Sequence, residues 1–115
     1  MNSSSKFLAL ALVALALPAV AETAVPEKAA LCAACHGEAG AKPIMPAYPV
    51  LAGQYANYLE HSLKEYKSGV RKNPIMTAQA ATLTNEEIRA LSQYYAAQEG
   101  PLYTPSIPGH KVAPK

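Results

Sequence analysis

Apolar positions recur at helical spacing in the mature part of the chain, and no stretch alternates with the period of two that marks a strand. Residues 54–69 (QYANYLEHSLKEYKSG) place tyrosines and leucines on one face and charges on the rest, which predicts an amphipathic helix ending at Gly69. Residues 25–35 (VPEKAALCAAC) are rich in alanine and predict a shorter first helix, with Pro26 and Glu27 at its start.

A third helix is predicted from residues 83–100 (LTNEEIRALSQYYAAQEG). Thr84 can cap it, and Glu87, three residues on, completes a capping box. Its apolar stripe consists of Ile88, Leu91 and Tyr95. The stretches between the helices, residues 37–53 and 70–82, lack a helical period and are predicted to be loops, the first rich in Gly and Pro and the second with a short helical turn after Pro74. The chain is therefore predicted to be all-α, with three main helices plus loops.

The N-terminal segment has the layout of a secretory signal peptide. Lys6 precedes an apolar run from Phe7 to Leu17, and the small-residue pattern Ala19-Val20-Ala21 follows. The run is shorter than the roughly 20 residues of a membrane span, so we expect cleavage after Ala21; the alternative is an uncleaved N-terminal anchor. The chain is thus predicted to divide into a signal peptide, one domain and a Pro-rich, extended and partly mobile tail: residues 1–21, 22–100 and 101–115.

Charge and size restrict the function. The formal net charge of the chain is +2, and a balance so close to neutral argues against nucleic acid as the main partner. A domain this small buries a modest share of its surface, so it often needs a disulfide, a metal or an oligomer for stability. A large apolar cofactor in the core would serve the same purpose.

The chain's two cysteines stand in the motif CAACH, with Cys32, Cys35 and His36 in its key positions. A disulfide here would close a very short loop and remove little chain entropy. A redox-active CxxC of the thioredoxin kind expects a βαβ pattern, which is not found. A structural zinc site needs a fourth ligand, which His61 or His110 would have to supply.

The motif CxxCH is also the attachment signature of c-type haem. Each thiol adds to one vinyl group of the porphyrin, and the adjacent histidine turns over the ring to bind the iron. Gly37 follows at once, where the backbone leaves the helix beside the flat ring without a side chain in the way. Together with the export signal, the motif predicts one covalently bound haem c (iron) per chain, held by Cys32 and Cys35 with His36 as proximal ligand.

Three stretches carry a resemblance to a known family: CAACHG at 32–37, YPVLAGQYANYLEHSLKEYKSGVRKNPIM at 48–76 and LTNEEIRALSQYYAAQ at 83–98. The chain resembles the class I c-type cytochromes, and among them the small soluble bacterial cytochromes of the c-four, c-five and c-553 types. The resemblance implies a small all-α domain wrapped around one haem, with the first and last helices crossing. Unlike the two-haem members, this chain has a single CxxCH.

The resemblance also implies the remaining site residues. It places the distal iron ligand at Met76, and a thioether is a soft ligand with precedent in cytochromes c. The length of chain between His36 and Met45 does not exclude Met45 as the distal ligand. His61 is a further rival, although its polar neighbours favour a surface position. His110 lies in the tail, which also favours a surface position.

Two loop residues are implied to support the proximal side. The carbonyl of Pro49 is expected to accept a hydrogen bond from the second ring nitrogen of His36, which orients the ligand. Leu51 is expected to pack on the ring face. Four polar or aromatic side chains could approach the propionates: Tyr55, Tyr58, Arg71 and Asn73.

The predicted function is periplasmic electron transfer by a protein that is not an enzyme, because a haem with both axial positions filled has no open site for a substrate. The expected partners are redox proteins, namely a donor and an acceptor such as a membrane oxidase or a dehydrogenase. We expect no nucleic acid, no membrane insertion after cleavage, and a monomer or weak dimer. The alternatives are a subunit of a periplasmic dehydrogenase or sulfur-oxidising complex, and a haem sensor or enzyme with an open sixth site.

Overall fold

The computed structural model describes residues 24–105. Within this range the chain forms four α-helices and a short 3₁₀ turn at Glu38–Gly40, without a strand. The helices are α1 (Ala29–His36), α2 (Ala56–Ser68), α3 (Pro74–Ala81) and α4 (Asn85–Ala96). The all-α prediction is confirmed, and no helix in the described range is long and apolar enough to cross a membrane. The predicted signal peptide lies outside the described residues.

Helix α4 begins and packs as its sequence predicts. The Thr84 hydroxyl accepts from the backbone N–H of Glu87 at 3.1 Å, and the Glu87 carboxylate accepts from the backbone N–H of Thr84 at 2.8 Å. Its apolar stripe enters the core, which α1, α2 and the α3–α4 connection complete. The buried core cluster consists of Ala29, Leu59, Leu83, Ile88, Leu91 and Tyr95.

Helices α1 and α4 meet in this core, as the resemblance implies for the first and last helices. The Tyr95 hydroxyl donates to the carbonyl of Ala29 at 3.1 Å, across 66 positions of sequence. The predicted start of α1 was three to four residues too early. Pro26 and Glu27 lie in a turn before the helix, since the Pro26 carbonyl accepts the N–H of Ala29 at 2.9 Å.

Helix α3 corrects the prediction of three main helices. Residues 74–81 form a complete helix of eight residues where a loop with a short helical turn was expected. The Asn73 side chain caps it by accepting the backbone N–H groups of Ile75 and Met76, both at 3.0 Å, and Pro74 occupies the first helical position. Helix α2 ends at the predicted residue, with Gly69 in the left-handed conformation (φ 80°).

The first residues of the predicted tail are fastened to the domain. Residues 101–105 run without regular structure beside the segment that precedes α2. The Thr104 hydroxyl donates to the carbonyl of Gly53 at 2.7 Å, and the Tyr55 hydroxyl donates to the carbonyl of Pro105 at 2.5 Å. The rest of the tail lies outside the described residues.

Candidate haem-binding site

Helix α1 presents the whole CxxCH motif in its last two turns. Cys32 and Cys35 are three positions apart and therefore lie on neighbouring parts of one helix face. Both are half-buried, and neither forms a disulfide within the described part of the chain. Two unpaired thiols on one face, with a histidine at the helix end, match the donor set that a covalently bound haem requires.

Zinc finds no comparable ligand set. Among residues 24–105, no group of three or more histidine, cysteine or acidic side chains is arranged to hold a metal ion. His61, the fourth ligand that a zinc site could have used, is exposed and pairs with Glu65 at 3.1 Å. The contact agrees with the surface position predicted for His61, which was the rival to Met76 as a haem ligand. His110 lies outside the described residues.

The imidazole of His36 is held in one orientation. The side chain is buried, with 5% of its surface exposed, and its Nδ1 lies 2.8 Å from the carbonyl oxygen of Pro49. A carbonyl can only accept, so Nδ1 is the donor, and in the neutral imidazole Nε2 carries the lone pair. This is the contact that the resemblance implies for Pro49, and it leaves Nε2 as the nitrogen that would bind a metal ion.

The chain leaves α1 through a turn that only glycine can make. Gly37 has φ 81° and ψ 167°, a region nearly exclusive to glycine. A Cβ at this position would lie 1.9 Å from the carbonyl oxygen of Lys42. From the sequence, the reason expected for Gly37 is the approach of the haem plane. The structure adds a sufficient reason within the chain itself, which is the close passage of the Lys42 backbone.

The loop that carries Pro49 is anchored to the core. The backbone N–H groups of Leu51 and Ala52 both donate to the carbonyl of Gly40, at 2.8 and 3.1 Å, and the N–H of Gly53 donates to the carbonyl of Tyr95 at 3.0 Å. Leu51 is half-buried and packs against the core cluster. The loop therefore gives Pro49 a fixed position relative to α4.

The two candidate methionines occupy different surroundings. Met76 lies in the first turn of α3 and is half-buried, and its backbone N–H is capped by Asn73. Met45 lies in the loop after α1 with half of its surface exposed. His36 and Met76 sit on two different helices, so shared coordination of one iron would tie α3 to α1.

The side chains suggested as propionate partners already have partners within the chain. The Arg71 guanidinium donates to the hydroxyl of Ser62 at 3.1 Å, and its hydrogen bond to Tyr58 lowers the pKa of that phenol. The Asn73 side chain caps α3, and the Tyr55 hydroxyl is bound to the tail. Their contact with propionates stays a prediction.

Tyr95 is a core residue that also lies near the Cys32 thiol, which packs against the core cluster, and no pattern in the sequence indicates this. Burial raises the pKa of the Cys32 thiol, and a side-chain hydrogen bond with Tyr95 partly opposes this shift. Burial likewise raises the pKa of Tyr95, so both groups are neutral at physiological pH. The two residues are 63 positions apart in sequence, and a tyrosine in an apolar stripe does not indicate which distant residue it will contact.

The surroundings of the motif are suited to a large apolar group. Several apolar side chains on α1 and on the following loop are half exposed or more, although the domain is small. These are Leu31, Ile44 and Met45. Exposed apolar surface of this kind marks a site that a ligand or a partner covers. The donor set and its surroundings fit a haem that Cys32 and Cys35 would hold by thioether bonds.

Comparison with known proteins gives the same result. The family model described as Cytochrome c matches residues 27–97. Cytochrome c-554(548) of Halomonas halodenitrificans is 43% identical over 76 residues, which cover 64% of this chain and 90% of that protein. Cytochrome c-553 of Helicobacter pylori is 41% identical over 63 residues, covering 55% of this chain and 66% of the relative.

A longer relative adds a named role. The thiosulfate dehydrogenase electron acceptor of Thiomonas intermedia is 38% identical over 73 residues. The match covers 64% of this chain but 34% of that protein. The similarity therefore spans about a third of the longer protein.

Proposed function

Since the chain belongs to the cytochrome c family and carries electrons by one covalent haem c, we propose that it is a periplasmic carrier with His36 and Met76 as axial ligands. The observation that carries this proposal is the buried imidazole of His36, with Nδ1 on the carbonyl of Pro49. An imidazole held this way keeps Nε2 free for iron, and a hydrogen bond on its other nitrogen raises its basicity as a ligand.

When bound, the haem would supply a single one-electron redox centre. Cys32 and Cys35 fix the porphyrin to α1, and His36 fixes the iron on the same helix. Met76 brings a thioether from α3, and a thioether favours the ferrous state and so raises the reduction potential. With His36 and Met76 both holding the iron, no substrate would need to bind the metal.

The periplasmic location is supported by the signal-peptide pattern at residues 1–21. Electron-transfer partners are expected to bind through a small interface and to leave quickly, since weak redox encounters bury little surface. The near-neutral charge of the chain suits such transient contacts better than permanent binding to a strongly charged partner.

A second candidate function follows from the Thiomonas relative, which is named as the electron acceptor of thiosulfate dehydrogenase. By this similarity, the chain would receive electrons from a periplasmic sulfur-oxidising dehydrogenase, either as a free acceptor or as a bound subunit. Purification from its native host distinguishes these. A free carrier elutes alone, whereas a subunit elutes with the dehydrogenase.

The experiment that tests the proposal is a redox titration of the haem protein, exported by a host with haem-attachment machinery. We expect a reversible one-electron transition and no change in the ferrous spectrum when carbon monoxide is added. Rapid binding of carbon monoxide would contradict the closed carrier, because it would show an exchangeable sixth position. The sensor or enzyme alternative would then explain the protein better.

A further inference from the structure

The way in which α3 is fastened to α2 bears on the methionine ligand. Of the eight described residues of α3, Ala80 alone is buried. Buried apolar area therefore does little to fix this helix, although it carries Met76. Besides its packing on α2, polar contacts hold it at its two ends, and each involves a cationic side chain in the last turn of α2 or shortly after it.

At the N-terminal end, the cation is Arg71, two residues before the Asn73 cap. Its backbone N–H donates to the carbonyl of Glu65 at 3.1 Å, and its Nη1 donates to the hydroxyl of Ser62 at 3.1 Å. The guanidinium lies 5.0 Å from the centroid of the Tyr66 ring, within the range of a cation–π contact. Arg71 thus folds back onto α2 and fixes the segment that leads into α3.

At the C-terminal end, the cation is Lys67 in the last turn of α2. Its Nζ donates to the carbonyl of Leu83, just beyond α3. Leu83 is buried in the core, and its N–H donates to the carbonyl of Ala80 at 3.1 Å. Both ends of α3 are thereby attached to α2 by hydrogen bonds from cationic side chains.

We propose that Arg71, assisted by Lys67, is a positioning residue for the distal iron ligand, because it holds α3 on α2 and so sets how readily Met76 leaves the iron. The inference rests on the proposed His36/Met76 coordination. A helix moves as a unit, so release of its N-terminal end displaces the first turn, which contains Met76. Neither cation needs to touch the haem for this effect.

The test compares Arg71→Gln with Arg89→Gln in the haem protein. Arg89 is an exposed arginine on α4, so both variants lose one positive charge and keep a polar side chain of moderate length. The measured quantity is the rate at which imidazole replaces methionine on ferric haem, followed by loss of the weak far-red absorption band of sulfur-bound ferric haem. Denaturant unfolding, followed by circular dichroism, is recorded for each variant.

We expect Arg71→Gln to raise the displacement rate by roughly five- to thirtyfold, the combined worth of one cation–π contact and one hydrogen bond. Arg89→Gln is expected to stay within about twofold of the unmodified protein, because Arg89 lies on α4 and takes no part in the contacts that hold the segment before α3. Arg71→Lys keeps the charge but loses the planar group that lies over Tyr66, and it should give an intermediate rate. Arg71→Lys also provides the test if Arg71→Gln folds poorly.

The possible outcomes distinguish a failure of this inference from a failure of the proposed His36/Met76 coordination. If the unmodified protein lacks the far-red band, the proposed coordination by Met76 fails, and the inference fails with it. If the band is present but Arg71→Gln and Arg71→Lys exchange methionine at the rate of Arg89→Gln, the inference alone is wrong. A purely structural Arg71 would lower the unfolding midpoint without faster exchange in the folded protein, and that result also overturns it.

Discussion

Helices α3 and α4 both pack on α2, and both begin at a side-chain cap, yet they are held by different means. Helix α4 buries four residues in the core, among them Ile88, Leu91 and Tyr95. Helix α3 buries Ala80 and leaves Met76 half-exposed. The comparison indicates that α4 contributes mainly to the stability of the fold, whereas α3 would contribute a ligand in the proposed coordination. A helix that lacks buried apolar area depends on its cap, on its polar contacts and, in the proposed coordination, on the bond to iron.

The largest expected difference comes from deleting the same side chain on each helix. Ile88→Ala removes a fully buried side chain from α4, and we expect it to lower the free energy of unfolding by about 2–5 kcal/mol. Ile75→Ala on α3 affects a side chain that is 47% exposed, so the loss should be less than half as large. Denaturant titration of both haem proteins measures this, and equal losses would remove the distinction between the helices.

The two helix caps give a smaller and more specific comparison. Asn73→Ala and Thr84→Ala each remove a side chain that accepts backbone N–H groups, and each should cost about 0.5–2 kcal/mol of stability. Only Asn73 caps the N–H of Met76 itself. We therefore expect the far-red band of the ferric protein to weaken in Asn73→Ala and to stay unchanged in Thr84→Ala.

Unfolding curves and ferric spectra recorded on the same samples check this pair. A band that weakens equally in both variants would mean that Met76 responds to general loss of stability. That result would contradict the claim that α3 controls the ligand independently of α4.

The smallest expected effect is that of His61→Gln on the exposed surface of α2. Its contact with Glu65 is an exposed pair one helical turn apart, and such pairs contribute about 0.3–0.5 kcal/mol. The ferric spectrum should not change, because His61 is expected to play no part at the iron. A changed spectrum would instead indicate that His61 on α2, and not Met76 on α3, is the sixth ligand of the iron.

The same two helices show what could be predicted from sequence. Helix α4 has a cap, a capping box and an apolar stripe, and each signal was correct because its residues act within a few positions of one another. Helix α3 has no apolar stripe, since its sequence PIMTAQAA is mostly alanine and small polar residues. The signal available was the pair Asn73-Pro74, which suits the cap and first positions of a helix.

The candidate site divides in the same way. Cys32, Cys35 and His36 could be identified from spacing alone, because the chemistry of attachment requires them to be adjacent. The role of Pro49 required the resemblance, since its carbonyl meets His36 across a loop of 13 positions. The contact between Tyr95 and Cys32 depends on how α1 meets α4, and no local pattern reports that.

The most direct test of the account is the absorption spectrum of the ferric protein, compared among the unmodified chain, Met76→Ala and Met45→Ala. The account predicts the weak far-red band of a methionine sulfur on ferric haem in the unmodified chain and in Met45→Ala, and its loss in Met76→Ala. Persistence of the band in Met76→Ala, or its absence from the unmodified protein, would contradict coordination of the iron by His36 and Met76.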